Sequence, residues 1–244
     1  MSDPYHAIPL KSDSAKGATY ISGVFTGGGA NSDWRDAVYA FQGSIHRSNN
    51  FGNFQAYYGA NLSLGCYHVK EYSRYDYYYP NDSLYNNVPA SYNYFGMYGF
   101  NGGINTVIPF SNGGGEWRAI GIEASLQKEF GNYYNFRKNL PDSSADIIFR
   151  KNVTGTVGIC TDIVTKSRRG IEFGYKAAFG FMLNPQSDYT HVYNPNELSP
   201  VAYFSQTLHL TRDNITGFIQ FNFSNNYAGN MQFGISYMLG RNKK

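Results

Sequence analysis

The most constraining feature of the chain is its last stretch, Met231-Gln232-Phe233-Gly234-Ile235-Ser236-Tyr237-Met238-Leu239. Side chains alternate along an extended strand with a period of two, so Met231, Phe233, Ile235, Tyr237 and Leu239 share one face while Gln232, Gly234 and Ser236 share the other. One face is greasy and the other is small or polar. A strand with lipid on one side and a polar lumen on the other has this pattern. At the end of a chain it is the natural partner for the first strand when a sheet closes on itself.

The same alternation recurs from Ala18 onward, giving about ten strand-length segments in all, this one included. They run Thr19 to Thr26, Ala37 to His46, Phe54 to about Val69, Tyr92 to Ile108, Trp117 to Lys128, Val153 to Val164, Ile171 to Leu183, Ala202 to Thr211, Ile215 to Ser224 and the terminal stretch. The seventh is the cleanest: Ile171, Phe173, Tyr175, Ala177, Phe179, Phe181 and Leu183 alternate with Glu172, Gly174, Lys176, Ala178 and Gly180. Composition agrees with this reading. Gly 27, Tyr 23 and Phe 18 against 15% charged residues make an aromatic, glycine-rich chain, yet its mean hydropathy is negative. Only every second residue of a membrane barrel meets lipid, which keeps the mean low. No stretch reaches the ~18 consecutive apolar residues of a spanning helix, so a helical membrane protein is excluded.

Connections between the segments alternate in length. Gly27 to Asp36, Lys70 to Ser91, Glu129 to Asn152 and Asn184 to Val201 are long; Arg47 to Asn53, Pro109 to Glu116, Thr165 to Gly170 and Arg212 to Asn214 are short. Outer-membrane barrels have long loops outside and tight turns on the periplasmic side. Asn225 to Asn230 is short where the rule allows a long loop. The expected fold is therefore all-β, a closed antiparallel up-and-down transmembrane barrel of about ten strands, with eight as the alternative. At 244 residues it fits one domain: a flexible tail over 1–17, the barrel over 18–240 and a short tail over 241–244. The polar, proline-containing tail lacks alternation, and no export signal precedes it. The expectation is that Met1 stands at a processed or engineered N-terminus. A lipoprotein would suit such a tail, although no cysteine stands there to carry the lipid.

On these segments and connections the chain resembles the small outer-membrane β-barrels of Gram-negative bacteria, and its Tyr/Asn/Gly-rich strands resemble barrels from Bacteroidota. The resemblance spans Ala18 to Leu239 and implies location in the bacterial outer membrane, in contact with its lipid and lipopolysaccharide.

Candidate functional residues fall in two groups. Glu123, Asp162, Glu172 and Lys176 sit on the polar faces of their strands and are expected to be lumen charges. They would line a constricted pore or form a satisfied network, and the narrow interior of an eight- to ten-stranded barrel favours the network. Tyr72, Tyr75, Tyr77, Tyr78, Tyr79 and Tyr85, with Tyr92 and Tyr94, crowd one long outer connection among Asn81, Asp82, Asn86 and Asn87. Tyrosine buries a flat ring while its hydroxyl stays wet, so this segment reads as a surface for a glycan or protein partner, or as an aromatic girdle.

Other chemistry is weaker. His46 and His209 face the lumen at the short-turn end, His68 faces lipid, and His191 lies in a long connection with Asp188 and Tyr189, so no catalytic set is expected. Asp33 with Asp36, and Asp142 with Asp146, lack an EF-hand spacing. Gly27 to Gly29 and Gly113 to Gly115 precede no helix, so a phosphate-binding reading fails. No metal or cofactor is expected, and Cys66 and Cys160 read as unpaired. A net charge of +3 without a basic stripe argues against nucleic acid.

The reading is a non-enzymatic structural or accessory protein that binds a protein partner in the outer membrane or at the cell surface through its outer loops, as a possible subunit of a membrane complex. A small passive channel and a lipid-modifying or proteolytic barrel enzyme are the alternatives. A soluble barrel with its aromatic face inward is disfavoured, because its interior could not hold Phe173, Tyr175, Phe179 and Phe181 from one strand alone. We predict that the native protein fractionates with the outer membrane and that its detergent extract changes mobility on boiling; a soluble, detergent-free monomer would turn every strand inside out.

Overall fold

Backbone N–H and C=O groups facing lipid have no water to bond, so an extended chain can cross a membrane only by pairing every strand edge. The computed structural model shows how this chain does so. It describes residues 10–12, 17–30, 36–70, 90–140, 147–183, 189–191, 201–224 and 229–239. In chain order the elements are β1 (Ala18–Ala30), β2 (Asp36–Phe51), β3 (Phe54–Val69), β4 (Ser91–Pro109), β5 (Gly115–Gly131), α1 (Asn132–Asn139), β6 (Ile147–Phe149), β7 (Val153–Lys166), β8 (Ile171–Met182), β9 (Tyr189–His191), β10 (Ala202–Arg212), β11 (Ile215–Ser224) and β12 (Gly229–Leu239).

Ten of these strands form one closed antiparallel barrel, in the order β1-β2-β3-β4-β5-β7-β8-β10-β11-β12. The C-terminal strand closes it. β12 pairs β1 from Thr19↔Leu239 to Gly29↔Gly229, leaving neither strand with a free edge over that length. All ten alternating segments of the sequence are barrel strands, several of them longer than the alternation alone marks. The connections 52–53, 110–114, 167–170 and 213–214 gather at one end, called here the turn end, where β1 starts and β12 stops. The longer connections gather at the loop end.

Parity decides the two faces. Phe25, Phe41 and Leu64 stand in register on β1, β2 and β3 and are exposed, as are Phe100, Ile159 and Phe179. Phe41 is 61% and Phe100 67% exposed, and every barrel strand carries exposed large apolar residues on this face. An apolar surface this continuous greatly exceeds the few hundred Å² that water-soluble monomers show, so it is a lipid-facing band. His68 shares this face and stacks on Tyr92 with ring centroids 4.2 Å apart.

Two features lie outside the ten-segment reading. The helix α1 and the small β6–β9 sheet occupy the loop end, and Leu10 and Lys11, within the stretch expected to be a free tail, are buried. Leu10 packs among Ala18, Tyr20, Tyr57 and Met238 at the inside of the turn end. Residues 1–9 of that tail, and 241–244 at the other terminus, lie outside the described residues.

The lipid band makes a measurable claim. Phe41→Arg should lower the stability of the lipid-embedded barrel by roughly 2–4 kcal/mol, read as a lower urea midpoint; an unchanged midpoint would mean that this face does not meet lipid.

Candidate functional site

Strict alternation along β5 would put Arg118 on the same face as Ile120 and Ile122, in lipid. A bulge prevents this. β5 pairs β4 at Val107↔Arg118 and Asn105↔Gly121, and pairs β7 at Arg118↔Asp162 and Gly121↔Cys160. Ala119 and Ile120 therefore face single residues, Thr106 on one neighbour and Thr161 on the other. The extra residue shifts parity, so Arg118 and Glu123 both point inward although five positions separate them. The threonines repair the ladder. Thr106 Oγ1 donates to the Ile120 carbonyl and accepts its N–H, each at 3.1 Å. Thr161 Oγ1 donates to the Arg118 carbonyl at 3.3 Å and accepts from the Trp117 indole at 3.0 Å.

Inside, Arg118 is the hub. Its Nη1 donates to Asp162 Oδ2 at 2.6 Å; its Nε and Nη2 donate to Glu116 Oε1 at 3.0 and 2.7 Å. Asp162 Oδ1 lies 3.5 Å from His209 Nε2. Nη2 also reaches the carbonyls of Leu10 at 2.9 Å and Lys11 at 3.1 Å. Lys11 Nζ donates to the Asp213 carbonyl at 3.0 Å, and the Ser12 amide donates to Glu172 Oε2 at 3.1 Å. Glu172 Oε1 faces Lys166 Nζ at 3.6 Å.

Toward the loop end lies a second group, in which Lys176 Nζ and the Tyr57 hydroxyl both donate to Glu123 Oε1. The four lumen charges expected from sequence, Glu123, Asp162, Glu172 and Lys176, thus sit on the inner face and are buried, but in two groups. Glu172 and Lys176, neighbours on one face of β8, serve different partners. Arg118, Glu116, Tyr57 and Lys166 were not among the expected site residues. An arginine assigned to the lipid face beside Trp117 was the available signal, since that placement costs about 2–4 kcal/mol at mid-membrane.

Small residues leave room for these groups. A Cβ on Gly174 would come within 2.0 Å of the His209 ring, and one on Gly234 within 2.1 Å of the Phe218 ring. Tyr20 stacks on His46, centroids 4.9 Å apart. Further along, Gln220 Nε2 donates to Asn222 Oδ1 at 2.6 Å and Asn222 Nδ2 to Asn230 Oδ1 at 2.8 Å.

At the loop end α1 folds inward. Tyr133 stacks on Tyr67 with centroids 4.5 Å apart and joins the buried Val38, Val69 and Phe95, with Phe136 and Leu140 packed against them. Arg137 lies over the Tyr133 ring and binds Glu129 at 2.6 Å. Burial pushes the Tyr133 phenol well above its ordinary value, the Arg137 charge opposing. Tyr72, Tyr75, Tyr77, Tyr78, Tyr79 and Tyr85 lie outside the described residues. Tyr92 and Tyr94, at the start of β4, are exposed on the outer face. The backbone pairs His191 with Ile147. Among the described residues no cluster of three His, Cys, Asp or Glu is placed to hold a metal ion, and both cysteines are free.

No family model matches the chain, and no curated protein matches it. Solved structures similar to it include the translocator domain of the autotransporter NalP from Neisseria meningitidis, at 11% identity over 91% of this chain and 88% of that one, TM-score 0.41. The beta domain of the Bordetella autotransporter BrkA is similar at 9% identity over 91% and 99%, TM-score 0.45. An outer membrane channel from Pseudomonas putida F1 is similar at 10% identity over 98% and 100%, TM-score 0.40. These likenesses concern the barrel and nothing finer. The even, closed strand set and the outward apolar band decide the matter. The architecture is that of a bacterial outer-membrane β-barrel.

The inner pair can be tested by a cycle. Lys176→Met should destabilise the barrel by about 3–5 kcal/mol, because it leaves the Glu123 charge buried and unpaired, whereas Lys176→Met with Glu123→Leu should recover most of the loss. Additive losses in urea unfolding would show that the two groups do not interact.

Proposed function

We propose that this chain is a structural or accessory interaction protein of the outer membrane. Its barrel is a closed anchor, and its large extracellular connections are the partner-binding part. One observation carries the reading: the interior is filled. Glu172, Gln220, Asn222 and Ser236 on the inner face have no surface open to water, and Arg118 and His209 have about 2%. A passive channel needs a wet path between side chains, so the filled interior supports an anchor over a pore. It also supports a non-enzymatic reading. The Asp162–His209 contact resembles an acid–base pair, but an acid or base must reach a substrate to act, and this pair is closed in.

The partner is then a protein in the same membrane or at the cell surface. Support for this comes from the length of 70–91 and its tyrosines, which offer large rigid contact area with a wet hydroxyl. The lipid band would lie against membrane lipid and lipopolysaccharide. The Tyr-, Asn- and Gly-rich strands are the ground for a Bacteroidota origin, which is part of the proposal.

Purified protein in planar bilayers should show no steady conductance; stepwise open-channel currents would favour the pore. Deleting 70–91 from the native chain should remove its co-purifying partner while the barrel keeps its heat-dependent gel shift. If every native association survives the deletion, the loop-binding part is wrong.

A further inference from the structure

The mouth of the barrel at the turn end holds a piece of extended peptide. Arg118 donates to two successive carbonyls, those of Leu10 and Lys11. Glu172 accepts the next amide, that of Ser12, and the carbonyl of Asp213 in the β10–β11 turn takes the Lys11 ammonium. The Leu10 side chain fills an apolar hollow made by Ala18, Tyr20, Tyr57 and Met238. This is the grammar of a peptide site: main-chain groups are held by charged hydrogen bonds, and one pocket reads a side chain.

Charge selects the occupant further. Glu116, Asp162 and Glu172 bring three carboxylates to the mouth against two cations, Arg118 and Lys166. Lys11 brings a third cation there, with its ammonium on the Asp213 carbonyl. An apolar residue followed by a cation is therefore the chemistry that the mouth accepts.

We propose that this mouth is a binding site for an extended peptide, occupied in cis by residues 10–12 as a releasable strap, and able to take a peptide of the same chemistry in trans once the strap is out. A tethered strap acts at an effective concentration on the order of millimolar, so a free peptide of micromolar affinity cannot displace it from the intact chain. A change that weakens the strap alone, without touching the barrel wall, uncovers the site.

Lys11 is itself a trypsin site, which makes the strap readable in the full-length protein. In detergent, folded wild-type chain should resist cleavage after Lys11. Leu10→Asp should be cut there about tenfold faster or more, since proteolysis follows the population of the open form and the burial of a leucine side chain is lost. A fluorescent peptide of wild-type sequence from Ala7 to Ser14 should then raise its anisotropy with the Leu10→Asp chain and not with wild type. The same peptide carrying Asp in place of Leu should bind neither. The heat-dependent gel shift shows whether the barrel is intact in each case, and Leu10→Ala serves as a milder release.

Equal cleavage of wild type and variant after Lys11 overturns the strap. A released strap without peptide uptake overturns the trans site. Neither result bears on conductance, so the closed-anchor reading stands or falls separately.

Discussion

Everything in this structure depends on the pairing of β1 with β12. Lipid offers no hydrogen bonds, so each open N–H or C=O on a strand edge costs several kcal/mol, and two open edges of this length could not be carried into a bilayer. Closing the ring removes both. The outward side chains then face only hydrocarbon, which is why rows such as Phe25, Phe41 and Leu64 are aromatic or aliphatic without needing a protein partner. The C-terminal strand must carry the same alternation as the first, and it does.

Closure at ten strands also sets the interior. A ring of this size has room for side chains and hardly for a channel, so what points inward must pack and must satisfy its own polar groups. Glycine and aromatic residues alternate across neighbouring strands for that reason: the His209 ring lies where a side chain on Gly174 would be, and Phe218 lies over Gly234. The ionised groups solve their own problem by clustering. Arg118 spreads five hydrogen bonds over two carboxylates and two backbone carbonyls. Glu123 is matched by Lys176 with help from Tyr57.

The alternation along the sequence located all ten barrel strands, and outside β5 their two faces, and it put Glu123, Asp162, Glu172 and Lys176 on the polar side, because a period of two is visible wherever one face meets lipid. It failed where the period breaks. The bulge at Ala119 and Ile120 has no sequence mark except its consequence, an arginine on an otherwise apolar face; the repair by Thr106 and Thr161 comes from strands far away in the chain. The strap was invisible for a different reason. Its contacts run mostly through the backbone of Leu10, Lys11 and Ser12, so side-chain patterning carries no trace of them. Nor could α1 be read from its residues, Asn132–Asn139, which have neither a side-chain cap nor an acidic first turn. Tertiary packing of Tyr133 and Phe136 over the mouth holds it.

The inner charges raise a question of purpose, since buried ion pairs add little net stability over apolar residues of the same volume. Their larger effect is on register. A slip of one residue in any strand turns its whole inner face outward. For β8 that would put Glu172 and Lys176 into the lipid band, where an unpaired lysine or arginine alone costs about 2–4 kcal/mol at mid-depth. An apolar interior would carry no such penalty, and both registers of a strand would be nearly equal in energy. Among the described residues parity shifts in one place, the bulge on β5, and that is also where Arg118 meets Leu10 and Lys11. The slip is confined there by Thr106 and Thr161, which bond the displaced backbone. The inner charges therefore fix the register of the wall, and the exception to that register on β5 aims the residue that holds the Leu10 and Lys11 carbonyls at the turn end.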